Sequence, residues 1–496
     1  MNREMPKPLA QLLSGAGAVS VTGEPDGVIT SIVTDSRRAV PGALFVCLRG
    51  GREDGHDHIA QAVDLGAVAI LVDREVDAPD GVTVARVADT LSALSKVAAE
   101  FYDHPSAALR VVGVTGTNGK KTTTHLIEAI AAAAGERFGL IGTLGARLRG
   151  SFDESIDHTT PFAHDVQRLL ARFRDAGASG AVLEVSSHAL ALHRVDDVAF
   201  DVATFTNLTQ DHLDFHLTLD AYRATKMMLF AITEHPRHKG PGVGVINLDD
   251  PEALRIAEPI RRRLTFAVHD PSAQLRATSI RYAVDGTTFS VPSLRPAPFR
   301  IHLPGPYNVS NALAAIASAV ALDLDVESIA EGIESVRDVP GRLTAVATGD
   351  VGVFVDYAHT PDGLRKVLEA ARTLTSGRLI CVFGCGGDRD ATKRPVMGAI
   401  ARELSDLAIV TSDNPRFEDP AKIISDIIEG MSGAGAAYEV EPDRAAAIER
   451  AIAAAEPGDV VILAGKGHET YQSVRGERRP FSDAEVARAV LDKVRA

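Results

Sequence analysis

Short, almost continuously apolar runs alternate with longer amphipathic segments through most of this chain. Runs 43–48, 67–72, 110–115, 181–185, 202–206, 242–247, 352–357, 378–384, 406–411 and 459–464 read as strands. They lack the in-out alternation of a half-exposed sheet, so they are expected to be buried on both faces, as in parallel sheets covered by helices. Segments 121–134, 363–374, 420–431 and 443–455 place apolar residues at helical spacing and read as such covering helices. The alternation predicts an α/β chain. Two breaks stand out, at Asp103-His104-Pro105-Ser106 and at Val339-Pro340-Gly341-Arg342. They divide the chain into units 1–108, 109–339 and 340–496, which suits about 150 residues per domain.

Composition narrows the function. Acidic residues outnumber basic ones 66 to 52, for a net charge of −14, which disfavours general binding to nucleic acid or anionic membrane. The three cysteines, Cys47, Cys381 and Cys385, cannot form a disulfide framework and fit a reducing compartment. No apolar run approaches the roughly 18 residues of a membrane span, and the N-terminal residues do not read as a signal peptide. A soluble cytoplasmic protein is expected. Cys381 is expected in the core and Cys385 in a loop.

The strongest local motif runs from Gly113 through Val114, Thr115, Gly116, Thr117, Asn118 and Gly119 to Lys120, between a predicted strand and a predicted helix. Glycines there allow backbone N–H groups to approach phosphates, and the helix N-terminus adds its dipole. Lys120 is placed to neutralise the β- and γ-phosphates. The pattern departs from the usual phosphate loop, because Lys121 occupies the place of the Ser or Thr that normally ligates Mg²⁺. Thr122 and the two threonines after it follow in shifted positions.

This variant resembles the Mur ligase family, which joins an amine to a carboxylate using ATP. Further motifs resemble that family in the same order: Glu184 to His188, Thr206 to Asp214, Lys226, Gly305 to Asn308, Gly341-Arg342, Asp356 to His359, Phe383 to Asp390, Asp413 to Arg416 and Gly465 to Glu469. The resemblance covers essentially the whole chain. It implies three α/β domains: an N-terminal UDP-substrate-binding domain, a central P-loop ATPase-like parallel-sheet domain and a C-terminal Rossmann-like amino-acid-binding domain. It also implies a monomer that uses ATP and Mg²⁺ in peptidoglycan-precursor synthesis.

The implied reaction adds meso-diaminopimelate to UDP-MurNAc-L-Ala-D-Glu through an acyl phosphate. Lys120, Glu184, His212, Lys226 and Arg342 are the implied catalytic set. Metal would be held by Glu184, His212 and Lys226 as its carbamate. ATP contacts fall to Gly116, Thr117, Asn118, Gly119, Lys120, Lys121, Thr122, Asn308, Arg342, Asp356 and His359. The UDP-muropeptide falls to Thr34, Ser36, Arg37, Gly51, Thr159, Thr160, Ser186 and Arg194. Diaminopimelate falls to Arg389, Asp413, Asn414, Pro415, Arg416, Gly465 and Glu469. Arg416 is the specificity signal, since a guanidinium fork can bind the distal carboxylate that lysine lacks.

Leu192 and His158 stand where glutamine and asparagine are expected. They leave open a ligase diverted to another amine, such as L-lysine. Lys121 leaves open a noncatalytic paralogue. If the enzyme turns over, a second ammonium at the hydroxyl position should repel the cation. An elevated Mg²⁺ requirement relieved by Lys121→Thr is therefore expected, and equal Mg²⁺ dependence in the two proteins would refute it.

Overall fold

The computed structural model describes residues 6–50, 53–283, 286–433, 435 and 437–495. Each of the ten expected strands is present, with bounds shifted by no more than two residues. Three parallel-rich sheets follow one another along the chain.

The first sheet has five strands in the order Ser20–Thr22, Thr83–Arg86, Ala67–Val72, Ala43–Val46 and Ser31–Val33. Only the Ser20–Thr22 edge runs antiparallel. Period-two alternation sends Leu44 and Val46 to one core, with Leu94 and Val97 of the Thr90–Phe101 helix. Phe45 goes to the opposite core, with Ile59 and Ile70.

The central sheet has nine strands, ordered Phe152–Glu154, Gly145–Leu148, Phe138–Gly142, Gly180–Glu184, Arg110–Thr115, Val202–Phe205, Val243–Asn247, Arg263–Ala267 and Leu275–Arg276. Gly145–Leu148 pairs antiparallel with both its neighbours and the other pairings are parallel. Val112, Val114 and Val182 pack against the Lys120–Ala133 and Pro306–Ala321 helices on one face. Val111, Leu183 and Phe205 pack against the Ala163–Asp175 and Leu219–Glu234 helices on the other. Sequence reading did not mark Phe138–Gly142, where two glycines dilute a five-residue apolar run that is nonetheless fully buried. A three-stranded antiparallel sheet, Thr278–Ala283, Gly286–Ser290 and Phe299–Ile301, follows.

The third sheet has six strands, ordered Thr344–Thr348, Gly352–Asp356, Val460–Ala464, Leu379–Phe383, Leu407–Val410 and Ala437–Val440, with only the first antiparallel. Cys381 lies in its core; Cys385 follows the strand end and is also buried, its Sγ 3.7 Å from Met397 Sδ. Among the described residues no helix is long and apolar enough to cross a membrane.

In all three sheets the carboxyl ends of parallel strands deliver loops to one edge. In the central sheet, Arg110–Thr115 lies between Gly180–Glu184 and Val202–Phe205. Their ends therefore bring the phosphate loop, Glu184 and Thr206 side by side, which is where open α/β sheets form crevices.

The last helix, Asp483–Arg495, is tied down by an internal ion pair. Arg444 donates to both Asp483 carboxylate oxygens at 2.7 Å and to the Ala464 carbonyl at 2.9 Å, and both side chains are fully buried. Asp483→Ala leaves a buried guanidinium unpaired and should cost about 3–5 kcal/mol of stability. Urea denaturation checks this, and a loss below about 1 kcal/mol would contradict it.

Candidate active site

The phosphate loop is held by the adjacent strand end as well as by its own side chains. Thr117 N donates to Asn207 O at 2.8 Å and Asn118 N to Asn207 Oδ1 at 2.9 Å. Asn118 O accepts from Thr206 Oγ1 at 2.6 Å and from Asn207 Nδ2 at 3.0 Å. Gly119 adopts φ +89°, and a Cβ there would collide with Asn311 Oδ1. Glycine is required at this turn for both reasons.

Two ammonium groups converge on the loop. Lys120 Nζ donates to Gly116 O at 2.8 Å and Thr117 O at 3.0 Å, and Lys226 Nζ donates to the same Gly116 carbonyl at 3.0 Å. Lys226 also lies over the Tyr222 ring, 4.5 Å from its centre. Burial, followed by the charge of Lys120, drives the Lys226 pKa well below the ordinary lysine range. Burial also lowers Lys120, opposed by Glu184 and Asp211. Lys121, expected at the phosphates, instead turns away from the loop: its Nζ is 3.0 Å from His468 Nδ1 and 3.3 Å from Pro340 O, so the repulsion of Mg²⁺ expected from its place in the sequence has no geometric basis. Burial and then Arg342 bring Lys121 down to about 7.

A cavity of about 510 Å³ opens beside the loop between the central and C-terminal sheets. Of the expected nucleotide residues, Asn118, Gly119, Thr122, Arg342, Asp356 and His359 line it. Asn308 stands behind it, its Oδ1 accepting from Nδ2 of Asn311, which does line it, at 2.9 Å. Asn118 Nδ2 reaches Asp362 Oδ2 across the crevice at 2.8 Å. Asp356 is raised by burial, against the pull of Arg342, and its Oδ2 accepts from Leu343 N at 2.7 Å. His359 is lowered by burial and by Lys393, which donates to the His359 carbonyl at 2.8 Å. Asn207, Asn311 and Asp362 escaped sequence reading. Asn207 sat inside a recognised motif and Asn311 one helical turn after Asn308, whereas nothing local marked Asp362.

None of the expected metal residues lines this cavity; they lie behind the phosphate loop, where Lys226 bonds Gly116 O and Glu184 and His212 are within electrostatic reach of Lys120. Glu184 Oε1 accepts from Thr143 N at 2.8 Å and Oε2 from Thr143 Oγ1 at 3.1 Å. His212 has φ +54° and its backbone N–H donates to Asp211 Oδ1 at 2.9 Å. Its ring is held neutral, with a pKa lowered to about 4 by burial and by Lys120 and Lys226 against Asp211. For Asp211, burial is outweighed by His212, His359 and Lys393, so its pKa is lowered; it is a further carboxylate that sequence reading quoted but did not nominate. Among the described residues, no three His, Cys, Asp or Glu side chains are grouped closely enough to hold a metal ion. Glu184 offers the hard carboxylate oxygen that magnesium prefers, and neutral His212 adds a softer nitrogen donor to a shell otherwise filled by waters and substrate oxygens.

The uridine-side residues divide. A second cavity, of about 460 Å³, is lined by Thr34, Arg38, His158, Phe162, His164 and Arg168, among others. Arg37 pairs instead with Asp35 at 2.8 Å and is exposed, and Ser36 is buried with its Oγ donating to Gln61 Oε1 at 2.7 Å. Gly51 lies outside the described residues. Thr160 Oγ1 donates to Glu184 O at 2.8 Å and lies 3.3 Å from Ser186 Oγ, and Arg194 Nη1 donates to Thr160 O at 2.7 Å. Thr159 Oγ1 is 3.2 Å from Thr143 Oγ1, which itself contacts Glu184. Thr159, Thr160, Ser186 and Arg194 thus form a polar bridge from the second cavity to Glu184.

The C-terminal residues gather beside the third sheet. Asn414 Nδ2 donates to Glu469 Oε2 at 2.7 Å, and Lys466 Nζ lies 3.2 Å from Asn414 Oδ1 and 3.1 Å from Glu469 Oε2. Lys466 is fully buried and was not nominated from sequence. Gly465 packs so closely on Asp413 that a Cβ would lie 2.5 Å from Asp413 Oδ2. Arg416 Nη1 donates to Gly387 O at 2.5 Å. Arg416 and Arg389 both border Gly386, where an added Cβ would be 3.0 Å from Arg416 Nη1 and 3.9 Å from Arg389 Cγ. Pro415 supplies the turn, its carbonyl accepting from Glu418 N at 3.0 Å. The Arg416 guanidinium and the Asn414 carbonyl thus border Gly386 together, whereas exposed Arg389 comes near it only with its aliphatic stem, its guanidinium lying 3.5 Å from Asp388 O.

Three family models match successive parts of the chain: "Mur ligase family, catalytic domain" at residues 28–102, "Mur ligase middle domain" at 114–319 and "Mur ligase, glutamate ligase domain" at 341–467. The UDP-N-acetylmuramoyl-L-alanyl-D-glutamate--2,6-diaminopimelate ligase of Gloeobacter violaceus is 45% identical over 493 residues, covering 98% of this chain and 99% of its own. The chain belongs to the Mur ligase family. The enzyme of the same name from Bacillus licheniformis is 45% identical over 480 residues, covering 95% and 97%. A solved ligase of that name superposes with a TM-score of 0.69 at 30% identity, covering 99% of this chain and all (100%) of its own. The ADP- and AMPPCP-complexed folylpolyglutamate synthase of Mycobacterium tuberculosis shares the fold, with a TM-score of 0.61 at 17% identity over 79% of this chain and 92% of its own.

Several histidines of this Mur ligase are held neutral. His125, His188 and His212 are each lowered from 6.5 to about 4, chiefly by burial. The unfolded chain binds their protons more tightly, so the stability they contribute is complete above about pH 6.5 and lost as pH falls toward about 4. The thermal midpoint at constant ionic strength should therefore fall steadily across that window. A midpoint unchanged down to pH 4.5 would contradict this.

Proposed function

We propose that this chain is an ATP-dependent ligase that adds meso-diaminopimelate to UDP-MurNAc-L-Ala-D-Glu in cytoplasmic peptidoglycan-precursor synthesis, acting as a monomer. One observation carries the reading. The phosphate-loop cavity is walled by Arg342, Asp356 and His359 from beyond the 340 boundary, while Glu184, at the end of the strand beside the phosphate-loop strand, is bonded through its carbonyl to Thr160, whose neighbours His158 and Pro161 line the second cavity. The full-length relatives named for this reaction support the same assignment.

On this reading, unit 1–108 holds the nucleotide-sugar, unit 109–339 holds ATP and unit 340–496 holds the incoming amine. A carboxylate oxygen of the muropeptide attacks the γ-phosphorus, and the bond to the ADP oxygen breaks. The amine nitrogen of diaminopimelate then attacks the acyl-phosphate carbon; phosphate leaves and the nitrogen gives up a proton. The first step brings an anion to a polyanion, so fixed positive charge is needed where negative charge develops. Lys120 supplies it from a loop whose backbone is fixed by Asn207, and Arg342 from the facing wall of the cavity. Glu184, His212 and Lys226 as its carbamate would hold Mg²⁺, which would screen the phosphates. The depressed basicity of Lys226 supports carbamate formation, because only the free amine attacks carbon dioxide.

Arg416 and Arg389 receive the distal carboxylate of diaminopimelate, and Asp413, Asn414 and Glu469 receive its ammonium. Lysine offers nothing to the two guanidinium groups.

The decisive assay is ATP-dependent phosphate release with UDP-MurNAc-L-Ala-D-Glu and meso-diaminopimelate, L-lysine or no amine. Release is expected with diaminopimelate alone; folded protein that releases none with any amine would refute the ligase reading. Arg416→Ala should raise the KM for diaminopimelate by about 10–100-fold with little change in the KM for ATP. An unchanged diaminopimelate KM would remove Arg416 from the amine site.

A further inference from the structure

Lys121 is the residue that departs most from phosphate-loop chemistry, and its surroundings give it a different task. It is the second residue of the Lys120–Ala133 helix, and its side chain is among the largest fully buried ones in the protein. An ammonium removed from water must find acceptors. Those it finds all come from residues far along the chain: the Pro340 carbonyl at 3.3 Å, His468 Nδ1 at 3.0 Å and the Tyr357 ring centred 5.6 Å away. With His468 neutral, lowered to about 3 by burial and by Lys121 and Arg342, its Nδ1 lone pair accepts the bond.

The acceptors form one assembly. Gly341 has φ +74°, and a Cβ there would lie 2.6 Å from His468 N, so the 340–342 connection packs directly on the 465–469 loop. His468 is followed by Glu469, whose carboxylate is bonded to Asn414 and Lys466. A serine or threonine hydroxyl, two bonds from Cα, cannot span the distance that four methylenes cover, so this bridge depends on lysine at position 121.

We propose that Lys121 is a positioning residue that ties the start of the nucleotide-binding helix to the 465–469 loop through His468 and Pro340, coupling nucleotide binding to the order of the amine-binding site. The proposal rests on the ligase reading for the identity of the amine, but the coupling itself can be read without turnover.

Backbone hydrogen exchange with and without saturating ADP separates the two. ADP should slow exchange at 116–122 in the native protein, in Lys121→Met and in Lys121→Thr alike. Only the native protein should also gain protection at 465–469. His468→Ala should lose that second protection as well, and His468→Gln, which keeps an acceptor, should retain it. In turnover, Lys121→Met and His468→Ala should each raise the KM for diaminopimelate by about tenfold, with the double variant no worse than either single one. Equal ADP protection of 465–469 in native protein and all variants, or additive effects in the double variant, would overturn the coupling. So would a Lys121→Thr protein whose only change is a lower Mg²⁺ requirement, because the ammonium would then act at the phosphates. Absence of amine-dependent phosphate release from the native protein would instead count against the ligase reading, while ADP protection at 465–469 still judged the bridge.

Discussion

Buried positive charge at the end of the Arg110–Thr115 strand is the constraint around which the rest is arranged. Lys120, Lys121 and Lys226 are all withdrawn from water within a few residues of one loop, and Arg342 acts on two of them from the facing sheet. Backbone carbonyls, an imidazole and aromatic faces take their hydrogens, while Glu184 and Asp211 act on Lys120 from beside it. Such a cluster is costly in isolation. For Lys120 a polyphosphate is the ligand that turns that cost into binding energy, and the cavity beside the loop is where one would lie; Lys121 is answered instead by Pro340, His468 and Tyr357.

The same constraint explains why the crevice is built from two sheets. A single sheet can bring Glu184, the phosphate loop and Thr206 together, because their strands are neighbours. It cannot also wall the opposite side. Arg342, Asp356 and His359 do so from the third sheet, and Asn118 meets Asp362 across the gap. Groups divided in this way are brought together only when the sheets face each other, which makes the connection at 340–342 mechanically important.

At the far end, Glu469 is placed by a short polar chain rather than by packing. Asn414 bonds it directly, Lys466 balances its charge, and Ser473 N fixes the Asn414 amide oxygen at 2.8 Å. A fully bonded buried network of this kind orients its members more sharply than apolar contacts do. Arg416, held at Gly387 O and at the Ser473 carbonyl through its backbone N–H, presents its remaining donors from a fixed base.

The strands, the covering helices and the phosphate loop were legible in the sequence because each depends on local pattern: runs of apolar residues, helical spacing and glycines ahead of a lysine. Arg416 could be singled out in the sequence because a guanidinium's chemistry belongs to one side chain; its carbonyl partner, Gly387, could not. What could not be read there are relations across long stretches of chain. Nothing around Asp362 announces that it meets Asn118, and Arg37 and Arg38 are indistinguishable until one pairs with Asp35 and the other turns to a cavity. Lys121 shows the division most plainly. The sequence alone determined that an ammonium replaces a hydroxyl after Lys120. Only the tertiary structure decided where that ammonium goes, because its acceptors lie 219 and 347 residues away and a buried charge is drawn to whatever acceptors folding brings within reach.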